Sequence, residues 1–473
     1  MPDPSISGYN VHPEADRRAM LSALGLSSIE SLFELVPAEI RLDRPLDLPS
    51  ARSPWQLERE FRELAQRNAT TLDHLSYLGA GAYEHYIPAT VPALAGRGEY
   101  LTAYTPYQPE MNQGLLRVLY DFQHMMARLL GLPSASSSVY DGATALAEAA
   151  WMACSIKGRH RLLIAETLWP EYRRVLEVYL RGREVEIRTV AAQPQSGQIS
   201  ADALDREIKR FKPAAVLLQT PTCQGVLESL DTLCNACRVN DTLSVISVNP
   251  TILVLLRSPG QNGADIAVCE GQPLGLALNA GGPYLGVIAT RDEYTMYLPG
   301  RIVGSCVDVR GEPALALVHE EREQHVARHK ATSHICSNQA NCALRVLIYL
   351  SALGERGFRR ISELSTRKAH YLAERLCQLP GVSLAKNAPY FHEFLLALPC
   401  DAEQLLDVLR EQRIFGGVCM STLAMQAEMP PSDGAERQLL VAVTETKSRD
   451  DLDRTVAAFD QALGQLSAAT ENA

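Results

Sequence analysis

The run Arg161-Leu162-Leu163-Ile164-Ala165 is apolar, short and fit for a strand, and Pro170–Leu180 follows it at helical spacing. Val185–Val190 is strand-like again. Ser200 caps a helix to about Phe211, Ala215–Gln219 reads as a strand, Leu227–Val239 as a helix and Leu243–Val248 as a strand. Two further apolar runs, Ala264–Cys269 and Tyr284–Ala289, close the series. Strands alternating with helices in this way predict a mostly parallel sheet covered on both faces.

Outward from this centre the pattern changes. Pro13–Leu24 and Ser28–Val36 carry apolar residues at helical spacing, Pro37, Pro45, Pro49 and Pro54 punctuate a connector, and Trp55–Asp73 reads as a charged amphipathic helix. Beyond the centre, long helices are expected at Asn338–Leu353 and Phe358–Leu376. Strands Glu393–Leu398 and Leu439–Val443 frame a helix at Ala402–Gln412, and Ser448 with Asp451 opens a closing helix. The expected organisation is a helical arm and connector over 1–60, a large α/β domain over 61–335 and a smaller α+β domain over 336–473.

The 473 residues are 46% hydrophobic and 21% charged, which places the chain among globular proteins and not disordered ones. Its 45 basic residues against 55 acidic ones lack the basic footprint of a nucleic-acid binder. No apolar run approaches the roughly 20 residues that span a membrane. Asp3, Glu14 and Asp16 interrupt any signal-peptide layout, so a cytoplasmic location is the default expectation. Eleven cysteines are too sparse for a disulfide scaffold. The one CxxC, Cys234 and Cys237, falls inside a predicted helix and lacks the second pair of a zinc site. His325 and His329 have metal-ligand spacing on one predicted helix face, without a third ligand fixed nearby.

Ser136-Ser137-Ser138-Val139-Tyr140-Asp141-Gly142-Ala143-Thr144 precedes an Ala-rich helix. Free N–H groups at such a helix start make an anion seat, or equally a cap beside close packing. With the domain order, this turn points to the aspartate-aminotransferase-like fold, fold type I of the pyridoxal-phosphate enzymes. That chemistry needs a lysine for the Schiff base and an acid on the pyridinium nitrogen. The chain has seven lysines (157, 209, 212, 330, 368, 386 and 447), none of them between 212 and 330. At the expected place stands Gln272, in Glu270-Gly271-Gln272-Pro273-Leu274-Gly275, and the acid's place holds Asn249-Pro250. An amide neither forms an aldimine nor keeps the ring nitrogen protonated as a carboxylate does. Ser138, Asp141, Gly142, Trp169, Asn249 and Gln272 are therefore read as a vestigial cofactor seat.

Four blocks carry a family likeness: Leu78-Gly-Ala-Gly-Ala-Tyr-Glu-His-Tyr-Ile-Pro88; Tyr104-Thr-Pro-Tyr-Gln-Pro-Glu110 with Gln113-Gly114; Glu270–Gly275 with Gly281-Gly-Pro-Tyr-Leu-Gly286; and Pro299-Gly-Arg301 through Arg322-Glu-Gln-His325 to Lys330-Ala-Thr-Ser333. On these the chain resembles the α subunit, subunit 1, of the two-subunit glycine dehydrogenase (decarboxylating), the P-protein of the glycine cleavage system. The likeness covers nearly the whole chain, including Ile40-Arg41. It implies glycine decarboxylation on pyridoxal phosphate and aminomethyl transfer to the lipoyl arm of the H-protein. It implies further that a β subunit carries the lysine and the cofactor, that the two chains form an α2β2 assembly, and that this chain alone is inactive.

The resemblance also gives partner-site or interface candidates. Tyr104, Thr105, Tyr107 and Gln108 either line the glycine or lipoyl entrance on the β side or form a packed turn. Thr332 and Ser333, with Lys330 or Arg301 adding charge, either reach the partner's cofactor phosphate or make an interface ion pair. The chain departs from the family at Trp169, at Thr222-Cys223-Gln224-Gly225 and at His334-Ile335-Cys336. Two other functions stay open at this point: a drifted non-catalytic scaffold or regulator, and a self-sufficient pyridoxal-phosphate lyase.

Overall fold

The computed structural model describes residues 12–42, 44–103, 106–279, 281–333, 335 and 339–471. The chain forms two compact units, Met1–Ala69 and Thr70–Ala473. The division expected at 60/61 falls inside a helix, Pro54–Ala65.

In the first unit, helix Glu14–Ala23 lies where helical spacing places it, whereas Ser28–Val36 reduces to a single 3-10 turn, Glu30–Phe33. Pro54–Ala65 starts with a reciprocal box: Gln56 N–H donates to Ser53 Oγ, and Ser53 N–H donates to the Gln56 side chain. Glu58–Arg62 pairs along the same helix at 2.7 Å. The helix ends at Ala65 and not at Asp73. Asp73 Oδ1 accepts from both Thr70 N and Oγ1 at 2.9 Å, and that local turn competes with the helix.

The second unit is built on a seven-stranded sheet in the order Ser134–Ala135, Gly286–Thr290, Ile266–Glu270, Leu243–Val248, Ala215–Thr220, Arg161–Ala165, Glu186–Val190. The five strands from Ile266–Glu270 to Glu186–Val190 run parallel, and Gly286–Thr290 is antiparallel to both of its neighbours, Ile266–Glu270 and Ser134–Ala135. Alternate side chains separate the two faces. Leu162, Ile164, Ala215, Leu217, Ile266 and Val268 pack under helix Gly142–Lys157. Leu163, Ala165, Val216 and Leu218 pack against Ala201–Phe211 and Leu230–Val239. Ala267, Cys269, Val287 and Ala289 meet helices Gln113–Leu130 and Ala340–Leu376. Parallel strands buried on both faces need near-continuous apolar runs, which is what these sequences supply.

A second sheet is antiparallel, in the order Ser383–Leu384, Glu393–Ala397, Gln438–Ala442, Val418–Cys419. Helices Ala402–Glu411 and Arg449–Glu471 cover it. The long element Ala340–Leu376 is two helices joined at Gly354, where φ is +60°; this is the break expected between Leu353 and Phe358. The capping box at Ser448 forms, with Ser448 N–H donating to Asp451 Oδ2 and Asp451 N–H to Ser448 Oγ. Leu75–Ser76 pairs in parallel with Ile414–Phe415, so the chain just after the first unit belongs to this C-terminal layer.

Helix Gln113–Leu130 and the hairpin Ile302–Val307 with Pro313–Val318 were not anticipated by the reading of periodicity. The hairpin is a separate two-stranded sheet. Among the described residues, no helix is long and apolar enough to cross a membrane.

Candidate functional site

Helix Gly142–Lys157 starts at the loop that the sequence marks as an anion seat. Asp141 is its N-cap and accepts from Thr144 N–H at 2.7 Å. The Gly142 N–H donates to Glu270 Oε2 at 2.9 Å. Glu270 ends the strand Ile266–Glu270, and its other oxygen accepts from Gln272 N–H at 2.8 Å and Leu285 N–H at 3.0 Å. The anion at this helix start is thus the chain's own buried carboxylate. Burial pushes its pKa up to about 7, against the opposing pull of the three N–H donors. Gly142 has to be glycine: a Cβ there would collide with Tyr172 Oη and lie 2.9 Å from Glu270 Cβ. Ser138 turns away from the seat, its Oγ accepting from Gln339 N–H at 3.1 Å.

Gln272 is 1% exposed. Its Oε1 accepts from Tyr83 N–H at 2.8 Å, and its Nε2 donates to the carbonyls of Tyr83 at 3.0 Å and Leu276 at 2.9 Å. Every polar group of the amide is in use. Tyr83 in turn donates its hydroxyl to Glu393 Oε2 at 2.9 Å, and Glu393 Oε1 accepts from Ala80 N–H at 2.8 Å. Glu393 begins a strand of the C-terminal sheet, so the segment 80–83 is held between the two sheets. Burial pushes the Glu393 pKa up to about 7. Further along the segment, His85 Nδ1 lies 2.7 Å from Glu445, and Tyr86 N–H donates to the same carboxylate at 2.8 Å.

Beside this helix start lies a cavity of ≈ 30 Å³ lined by Gly81, Tyr83, Trp169, Tyr172, Asn249 and Glu270, among others. Asn249 Oδ1 accepts from Thr251 N–H at 3.0 Å and Oγ1 at 2.7 Å, capping the turn Pro250–Val254. Its Nδ2 is buried with no partner among the described residues. Trp169 lines the cavity on one side and packs against Cys223, Leu395, Leu423 and Leu440 on the other. Pyridoxal phosphate does not fit these residues. No lysine lines the cavity, the Gly142 and Thr144 N–H groups are taken by Glu270 and Asp141, and the cavity is far smaller than a ring.

Of the partner-facing candidates, Tyr104 and Thr105, like the departure at His334, lie outside the described residues. Tyr107 packs its ring on the Arg301 guanidinium, 4.5 Å from the centroid, and Arg301 pairs with the buried Glu323 at 3.5 Å. Gln108 and Lys330 are exposed and Thr332 is half-buried. Ser333 is half-buried, and its Oγ accepts from Ile335 N–H at 3.3 Å. The structure brings Tyr107 and Arg301 into contact.

The metal-spaced histidines do not share a helix face, contrary to expectation. His325 lies in Gln324–Ala327, and His329 follows Arg328, whose φ of +55° breaks the helix. Cys234 and Cys237 are both buried within Leu230–Val239. Among the described residues no three His, Cys, Asp or Glu side chains are grouped to hold a metal. Sequence reasoning missed Glu270 and Glu393 as participants. Their one signal was a carboxylate bordering an apolar strand.

A mostly parallel sheet with a smaller antiparallel layer and a seat at the start of Gly142–Lys157 defines a fold-type-I pyridoxal-phosphate enzyme fold. The Lactobacillus brevis glutamate decarboxylase shares that fold at a TM-score of 0.66 and 14% identity, over 92% of this chain and 98% of that one. The Glycine cleavage system P-protein family profile matches residues 8–459, and the chain belongs to that family. A relative from Chlorobium limicola named "Probable glycine dehydrogenase (decarboxylating) subunit 1" is 43% identical over 460 residues, 97% of this chain and 100% of the relative. One of the same name from Desulfitobacterium hafniense is 42% identical, over 93% of this chain and 97% of the relative. A crystal structure of glycine decarboxylase (P-protein) of the glycine cleavage system, in inhibitor-bound form, aligns with a TM-score of 0.86 and 37% identity, over 96% of this chain and 100% of that one.

Proposed function

We propose that this chain is the lysine-lacking subunit of a two-chain glycine decarboxylase, a cytoplasmic component of the glycine cleavage system. Pyridoxal phosphate is carried by a lysine-bearing partner subunit in an α2β2 assembly. There glycine is decarboxylated and the aminomethyl group passes to the lipoyl H-protein. The observation that carries this reading is Gln272: a buried amide with both polar atoms hydrogen-bonded stands where the sequence reading expects a lysine, and the nearby cavity is too small for the cofactor. Such a chain has no use for the fold by itself and fits a role beside an intact copy.

In this reading Tyr107 and Arg301, with Tyr104, Thr105, Gln108, Lys330 and Thr332, form the edge that completes the partner's site. Ser333, next to Thr332, belongs to the same edge. The test is glycine–bicarbonate exchange by the cognate lysine-bearing subunit with and without this chain. Exchange that requires both chains is the expected result. Turnover by this chain alone, or full turnover by the partner without it, overturns the reading, and the second outcome favours a scaffold.

A further inference from the structure

The hairpin rooted at Arg301 makes no sheet with the rest of the fold, and a lone two-stranded hairpin is marginally stable in water. Three side chains replace the missing strand. Gln123, 5% exposed on an otherwise apolar helix face, donates from Nε2 to the Val303 carbonyl at 3.0 Å, and its Oε1 accepts from Val303 N–H at 3.0 Å. Gln113, near the start of the same helix, repeats the pattern on the opposite strand. Its Nε2 donates to the Leu315 carbonyl at 2.9 Å and its Oε1 accepts from Leu315 N–H at 3.0 Å. The Ser137 hydroxyl donates to the Arg301 carbonyl at 2.6 Å. Each glutamine presents one donor and one acceptor to one residue's backbone, as a neighbouring strand would.

Val303 lies two residues from Arg301, so the Gln123 amide fixes the backbone from which Arg301 reaches Tyr107 and Glu323. We infer that Gln123 is a positioning residue for Arg301, and that it acts on the glycine reaction only through that side chain. The inference rests on the function proposed above. An apolar residue at 123 leaves the Val303 N–H and carbonyl unpaired and frees the hairpin root to shift. A misplacement of about 1 Å in a positioned group costs up to about a hundredfold in rate.

The test is a double-mutant cycle in the two-chain complex, read as kcat/KM for glycine, with thermal unfolding as the control for folding. Gln123→Leu and Arg301→Ala are expected each to lower kcat/KM, by about tenfold or more. The double variant is expected to match Arg301→Ala within about twofold, because groups acting as a unit are non-additive. Losses that multiply in the double variant overturn the inference, since a merely structural role would give that result. Gln123→Leu with full activity, beside an impaired Arg301→Ala, overturns it while leaving the proposed function intact. A fully active Arg301→Ala overturns both this inference and the assignment of Arg301 to the partner's site. If Gln123→Leu does not fold, Ser137→Ala, which releases the Arg301 carbonyl, takes its place in the same cycle with the same three outcomes.

Discussion

Replacing Glu393 with glutamine should stabilise the protein at alkaline pH and leave it nearly unchanged in acid. The carboxyl is buried, with Ala80 N–H and the Tyr83 hydroxyl as its donors. Burial outweighs both and lifts its pKa from the ordinary 4.5 to about 7. The folded state therefore holds the proton more tightly than the unfolded chain does. The stability this confers is fully present below pH 4.5 and is lost as the pH rises to about 7. That interval corresponds to about 3 kcal/mol. Glutamine mimics the protonated acid: its oxygen accepts from Ala80 and its NH2 donates to Tyr83 Oη. Glu393→Gln should thus be within about 1 kcal/mol of the parent at pH 5 and more stable by up to about 3 kcal/mol at pH 8. The assay is equilibrium urea unfolding of both proteins at the two pH values. Glu228 and Glu270, also raised to about 7, are common to both and cancel in the difference. A variant equally or more destabilised at pH 8 would mean that the ionised carboxylate is held strongly by its donors, and the argument from burial would fall.

Gln272→Lys should not recover a Schiff base. Treatment of that variant with pyridoxal phosphate and borohydride, followed by peptide mass analysis, should show no stoichiometric adduct at 272, because the ≈ 30 Å³ cavity has no room for the ring; an adduct there would refute the assignment of an obliterated seat. Gly142→Ala should destabilise the chain by about 1–3 kcal/mol through overpacking against Tyr172 and Glu270, measurable by urea unfolding, and an unchanged midpoint would contradict the tight approach.

The central sheet was legible because each buried parallel strand is an apolar run bounded by a helical pattern, as at Ala215–Thr220 and Leu243–Val248. Strand pairing across the chain was not legible. Leu75–Ser76 is too short and too mixed to show a strand, and its partner at Ile414–Phe415 is equally brief. The expectation that Gln272 stands at a missing lysine comes from the chemistry, which demands one near that point. What the amide does instead depends on Tyr83 and Leu276 lying beside it, a matter of tertiary contact. The same holds for Glu270: a carboxylate at a strand end is unremarkable until the Gly142 N–H is placed on it. The expected helix face for His325 and His329 failed on one residue, Arg328, whose positive φ carries no composition signal.

Leu75 and Ser76 leave the ribosome long before Ile414 and Phe415, the strand they join, have been made. At ordinary translation speeds of about 5–20 residues per second the interval is roughly 20–70 s. Throughout it, Tyr77, fully buried in the finished protein and accepting a hydrogen bond from Thr455 on the last helix, has no place to go. Tyr77 is thus seated only as synthesis finishes, and the short strand before it stays unpaired in the nascent chain until Ile414 and Phe415 emerge. A premature stop before Ile414 leaves that early strand edge and its tyrosine open to wrong partners.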